Sequence, residues 1–274
     1  MAVSGDAAKE RGGFWRGRLF LVILAFLSLL IATFILLPLA RVVFFSDKFA
    51  IWQALTDPTT LGSIGLTLSA ALITTGIGVV LGVPLAYLLA RYDFRFKGAI
   101  EALIDIPIVV PHTAAGIALL FVFGRDFLLG QLFGKVGVEF VDSLAGIVIA
   151  MLFVSVPFLI DSAKEGFRKV DPRLEKVSRT LGASPWQAFW YVSLPLADRS
   201  IAAGALMMWA RGISEFGAVV VLTYYPMVTP TLIYQRFESY GLSAALPVAA
   251  VLIIICAVIF IAVRTLLRGE TTRD

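Results

Sequence analysis

Residues 61–90 read LGSIGLTLSAALITTGIGVVLGVPLAYLLA, a run without a single charge. A bilayer's hydrocarbon core is about 30 Å thick, and about 20 mostly apolar helical residues at ~1.5 Å each cover it. Backbone groups in lipid must satisfy their own hydrogen bonds, so such a run is helical. Working outward, Leu19–Ala40, Ser143–Ile160 and Ser239–Val263 are equally free of charge, and Ile106–Gly124 carries only His112. A sixth run, Ser200–Leu222, is interrupted by Arg211 and Glu215. The chain reads as an all-α integral membrane protein with six transmembrane helices.

Composition supports this class and excludes others. Of 274 residues, 59% are apolar and 15% charged, against about 45–50% and about 25% in soluble domains. Disorder is excluded by the apolar content. A transmembrane barrel would show short alternating segments instead of long runs. Cys256 and His112 are each the sole residue of their type, which leaves no disulfide framework and no Cys- or His-rich metal site. A net charge of +4 gives no argument for nucleic acid, and where the charges sit matters more.

Positive residues concentrate on the cytoplasmic side of membrane proteins. With the N-terminus inside, 17 of the 23 Lys and Arg residues fall in cytoplasmic segments and four in outer ones. Arg41 lies at the outer edge and Arg211 within a span. Both termini are therefore expected in the cytoplasm. The first apolar run is too long for a signal peptide and no small-residue cleavage site follows it. The expected organisation is a cytoplasmic tail over 1–18, a transmembrane domain over 19–268 and a C-terminal tail over 269–274.

The longest cytoplasmic loop, roughly Asp161–Arg199, has structure of its own. Asp171-Pro172 reads as an N-cap with proline at the first helical position. Leu174, Val177 and Leu181 then share one helical face, with Arg173, Glu175, Lys176 and Arg179 away from it. Gly182 suits the left-handed conformation that ends a helix. Ser184-Pro185-Trp186-Gln187 is a capping-box pattern that starts a second helix, and Leu194-Pro195 is expected to close it. The apolar stripe needs a cover, either the chain's own membrane helices or a partner's groove.

The stretch Leu174–Pro185 with Val192-Ser193-Leu194-Pro195 resembles the EAA loop of ABC importer permeases, E-A-A-x3-G-x9-I-x-L-P. Gly182, Ala183, Ser184, Pro185, Leu194 and Pro195 keep its spacing. Lys176-Val177-Ser178 occupy the E-A-A places, with Glu175 one place earlier. The stretch from Asp105 through Pro111 and His112 to Leu120, and Trp209–Ala218, are similar to the third and fifth spans of molybdate/tungstate permeases, a pattern that sulfate permeases largely share. The resemblance implies a permease subunit in the cell membrane of a prokaryote, of archaeal type. It implies a homodimer with a second copy of the chain, two cytoplasmic ABC ATPase subunits that dock on the loop over about 171–195, and an extracytoplasmic oxyanion-binding protein. ATP and magnesium would bind the ATPase, and this chain would bind no cofactor. The chain has no G-x-x-x-x-G-K-[ST] pattern and no convergent catalytic side chains, so no catalytic residue is expected. A sulfate permease and an ATP-independent secondary transporter are the alternatives; the latter should carry midplane acids or an inverted repeat, and neither is evident.

Several intramembrane residues carry two readings. Arg211 and Glu215 lie one turn apart and either offer positive potential to a passing oxyanion or form a local pair that fixes packing. Pro107 and Pro111 disturb their helix; with His112 they mark either a broken span lining a polar cavity or a packed kink with His112 bonded to a carbonyl. Glu101 and Asp105 are expected to pair with bases from another helix. Gly78 and Gly82 have the spacing of close helix contact, within the subunit or between copies.

Overall fold

The computed structural model describes residues 6–269, with side chains over 20–263 and at Thr265. The tails expected at 1–18 and 269–274 fall partly outside these residues; over 6–18 the chain is already helical. The elements are α1 (Asp6–Phe45), α2 (Lys48–Thr56), α3 (Pro58–Arg91), α4 (Lys97–Val109), α5 (His112–Phe123), α6 (Leu128–Gly134) and α7 (Leu144–Lys169). They continue with α8 (Pro172–Thr180), α9 (Pro185–Ala188), a π-helical turn (Phe189–Ser193), α10 (Leu194–Ile213), α11 (Gly217–Leu222), α12 (Thr229–Tyr240) and α13 (Leu242–Gly269).

Among the described residues, four helices are long and apolar enough to cross a bilayer: α1, α3, α7 and α13. The run expected at 106–124 is not one helix. It is α4 and α5, bent by 114°. Pro111 causes the break, because proline forces the preceding residue out of helical geometry, and Val110 is extended at φ −67°, ψ 135°. The run expected at 200–222 is also divided, into α10 and α11. Here no proline acts. The Glu215 carboxylate accepts a hydrogen bond from the Ala218 N–H at 2.8 Å, giving α11 a cap of its own inside the apolar run.

The core is the trio α3, α7 and α10. Helix α3 runs parallel to α7, and α10 runs antiparallel to both, because Gly204 faces Leu159 and Ser162 while Gly212 faces Ala71 and Met151. A Cβ on Gly204 would lie 2.7 Å from Ser162 Cβ, so only glycine permits this approach. Gly78 and Gly82 pack on Leu159 and Ile160 of α7, which makes that contact internal to the subunit. Helix α1 touches mainly α13 and leaves Phe20–Leu30 almost wholly exposed, as a lipid-facing helix can.

At one end of α3, Asp57 caps its first turn through Thr59 N and Thr60 N and pairs with Arg236 of α12 at 2.5 Å. The Thr60 hydroxyl, Arg236 and the two amides outweigh burial and hold the Asp57 carboxyl down at about 2. Nearby, the Thr67 hydroxyl accepts from Thr229 N at 2.8 Å, so α3 also caps α12. The other end of α3 meets the loop after α7.

Candidate coupling loop and intramembrane charge cluster

The loop is built by local capping. Asp171 accepts from Arg173 N at 2.9 Å, with Pro172 in the first turn. At the far end of α8, Gly182 N–H donates to Arg179 O at 3.0 Å and Ala183 N–H to Ser178 O at 3.1 Å. These are the paired bonds of a Schellman ending, and Gly182 takes the required positive φ, +98°. Ser184 and Gln187 then close a reciprocal capping box at the start of α9.

Leu174, Val177 and Leu181 are 46, 57 and 84% exposed, so the stripe is not packed beneath the chain's own helices. Trp186, Trp190 and Tyr191, on the adjoining α9 and π-turn, are also exposed. Lys176, Arg179, Ser184 and Pro185 are open to solvent as well, and Ala183 is half-buried. Removing apolar area from water is worth about 25 cal/mol per Å², so this face gains by meeting a second protein.

Glu175 does the opposite. Its side chain is 14% exposed and pairs with Arg91 of α3, 8% exposed, at 2.6 Å. The Ser193 hydroxyl donates to the same oxygen at 2.6 Å, and the Tyr87 hydroxyl to the other at 3.0 Å. Arg91 also donates to Val170 O, the residue capping α7, at 3.0 Å. Tyr87 stacks edge-on against Phe167 and Phe189 with centroids 5.3 and 4.8 Å apart. Arg91 and Tyr87 were not legible as partners from sequence; Arg91 reads there only as one more positive residue at a span's inner end.

Leu194-Pro195 does not close the second helix. Helix runs on from Pro185 to Ile213 through the π-turn. Proline lacks a donor and its ring crowds the carbonyl four residues back. The widened turn, where Leu194 N–H donates to Phe189 O, accommodates it. Pro195 itself is exposed and Leu194 half-buried.

Within the apolar layer, the breaks of the two divided runs meet. Gly217 sits against His112, where a Cβ would lie 2.8 Å from His112 Cβ. Arg211 donates to Glu215 Oε2 at 2.8 Å, and His112 Nδ1 lies 2.9 Å from that oxygen. His112 thus faces the Glu215 carboxylate. The same Arg211 nitrogen is 2.7 and 2.9 Å from the two ring nitrogens. Glu215 is fully buried, whereas the side chains of Arg211 and His112 are 21 and 34% exposed. Thr113 and Ser214 beside them are exposed. The arrangement ties α5, α10 and α11 at one point and leaves an Arg–His edge open. Gly212 of α10 faces Ala71 of α3, so the cluster lies roughly 20 Å along α3 from Asp57 and about 30 Å from Arg91.

Glu101 pairs with Arg168 at 3.3 Å and Lys164 at 3.6 Å, bases from α7 as expected, whereas Asp105 does not follow it: its Oδ1 is buried without a hydrogen-bond partner among the described residues. Among the described residues no group of His, Cys, Asp and Glu could hold a metal ion.

Residues 78–269 match the model of the family described as binding-protein-dependent transport system inner membrane component. The chain belongs to this family. A molybdate/tungstate transport system permease protein from Thermococcus kodakarensis is 44% identical over 249 residues, covering 90% of this permease and 95% of the relative. A probable sulfate transport system permease protein from Chlorokybus atmophyticus is 32% identical over 254 residues, with 91% and 87% covered. A bacterial ABC transporter that imports the acidic polysaccharide alginate contains a chain with TM-score 0.69 and 16% identity, with 95% and 96% covered. That likeness establishes the ABC permease fold. This permease is a multi-pass membrane protein of archaeal type, a transport component.

Proposed function

We propose that the permease carries molybdate or tungstate inward as the transmembrane subunit of an ATP-driven importer. Two copies form the pathway. Two cytoplasmic ATPase subunits bind the exposed stripe of the loop, and an extracytoplasmic protein delivers the oxyanion. The observation that carries this reading is the loop itself: three caps hold α8 and α9 rigid while Leu174, Val177, Leu181 and Trp186 face outward. A loop stiffened in this way and apolar outside suits a part that is pushed. The ATPases hydrolyse ATP with magnesium, and this chain transmits the motion as a population shift between inward- and outward-facing states.

The bent pair α4–α5 and the pair α10–α11 each count as one crossing in this reading, which gives six, with the loop and both termini cytoplasmic. The likeness to the molybdate/tungstate relative, 44% against 32% for the sulfate one, supports the substrate. Arg211, Glu215, Pro111 and His112 form the joint between the two broken crossings. With Glu215 accepting from Arg211 and Ala218 and lying against His112, packing is its first role, and the open Arg–His edge is what a passing dianion would meet. Competition decides the substrate. Labelled tungstate uptake by the reconstituted complex should be blocked by molybdate and not by sulfate; blockage by sulfate would move the substrate.

A further inference from the structure

The acid that precedes the E-A-A places has no contact with the outward face of the loop, and the geometry gives it a different task. We infer that Glu175 is a positioning residue, a latch that joins the coupling loop to the ends of α3 and α7 and to the π-turn so that they move as one body. The inference rests on the transport reading above and adds how a push on the loop reaches the membrane core.

Three observations carry it. First, both Glu175 oxygens are committed inside the chain, one to Arg91 and Ser193 and the other to Tyr87. A half-buried carboxylate so occupied has little capacity left for a partner protein. Second, its partners come from separate elements. Tyr87 and Arg91 end α3, Ser193 ends the π-turn, and Arg91 reaches on to Val170 at the end of α7. Helix α8 itself has no buried residue, so an apolar interface does not seat it, and the carboxylate does. Third, the π-turn supplies the register. One extra residue in a helical turn rotates the remainder of the helix by about 100°, and here the turn ends on Ser193, fully buried and 2.6 Å from Glu175. π-Turns persist chiefly where a site needs them. Beside the latch, Tyr87, Phe167 and Phe189 stack in sequence, and Phe189 touches Trp186 and Trp190 with centroids 6.0 and 5.6 Å away. A force applied at the exposed tryptophans therefore has a packed route to α7.

The test uses the full complex in vesicles and reads tungstate taken up per ATP hydrolysed, together with amide exchange over α8 in the purified permease. Glu175→Gln and Arg91→Met should leave ATPase co-purification and ATP hydrolysis within twofold of wild type. Both should lower tungstate per ATP at least fivefold and speed exchange over Pro172–Thr180 about tenfold, with α7 unchanged. Arg91→Lys, which keeps the charge, should recover part of both losses. An unchanged uptake ratio together with unchanged exchange would overturn the latch. So would loss of ATPase co-purification, which would make Glu175 a docking residue. If Glu175→Gln does not fold, Tyr87→Phe decides: faster exchange over α8 supports the latch and wild-type exchange refutes it. Absence of ATP-dependent uptake in the wild-type complex would count against the transport reading, while exchange would still decide the latch.

Discussion

Gly182 offers a clean test of how much the loop depends on one backbone conformation. Its φ of +98° is one that side chains with a Cβ rarely adopt, and a Cβ there would meet nothing within 4 Å. Any effect of substitution within the permease is thus conformational and not steric. A left-handed alanine costs about 1–2 kcal/mol. A β-branched residue costs more, about 2–3 kcal/mol, while asparagine tolerates the conformation with a small penalty. Each 1.4 kcal/mol is tenfold in population, so Gly182→Val should deplete the docking-competent turn on the order of a hundredfold, and apparent affinity for the ATPase falls with that fraction. The assay is co-purification of the ATPase with the tagged permease, followed by ATP-driven uptake in vesicles. The order should be Gly ≈ Asn, then Ala, then Val. Asparagine is bulkier than alanine, so an Asn variant worse than Ala would refute the conformational reasoning and point to crowding against a partner. Wild-type behaviour of Gly182→Val would refute the role of the turn altogether.

The same geometry sets other expectations. Glu215→Leu should destabilise the solubilised permease by about 3–5 kcal/mol, since it strands Arg211 beside an apolar core, whereas the double change Arg211→Met with Glu215→Met should recover most thermal stability. If that double variant folds but no longer transports, the cluster serves the pathway as well as packing; normal uptake would confine it to packing. Gly116→Ala should cost about 1–3 kcal/mol by overpacking, because its Cβ would lie 2.8 Å from Val221 Cβ and 2.9 Å from Ala218 O, while Gly76→Ala, with open space around it, should be neutral or stabilising; equal melting shifts would contradict this. Asp57, held down at about 2 from an ordinary 3.8, contributes stability that is complete above the ordinary value and lost as pH falls toward 2. Melting temperature should therefore drop between pH 4 and 2 in the wild type and less in Asp57→Asn; identical profiles would remove Asp57 as the cause.

The parts of the fold that sequence made legible are those set by neighbours along the chain. Asp171, Gly182 and the Ser184–Gln187 box act over two to four residues, and each stands where its pattern put it. Pro111 broke its span for an equally local reason. What sequence could not give depends on distant partners. Glu175 looked like one of several polar residues on the back of α8, because Arg91 and Tyr87 lie more than 80 residues away. Arg211 and Glu215 read as a pair one turn apart, and His112 joined them only where the two broken runs met. The break after Ile213 left no proline to read; there the Glu215 carboxylate bonds into the first turn of α11. Leu194-Pro195 misled for a related reason: a proline usually ends a helix, and only a π-turn, invisible in residue periodicity, lets one continue.

In the proposed reading, transport turns on coupling between the exposed stripe and ATP. Tungstate uptake should be measured in vesicles holding the permease, its ATPase and the binding protein, with and without ATP, for the wild type and for Leu174→Asp with Leu181→Asp. Wild-type uptake should require both ATP and the ATPase, and the double variant should lose it together with ATPase co-purification. Uptake that persists without the ATPase, or is undiminished in the double variant, would contradict the coupling role of the stripe.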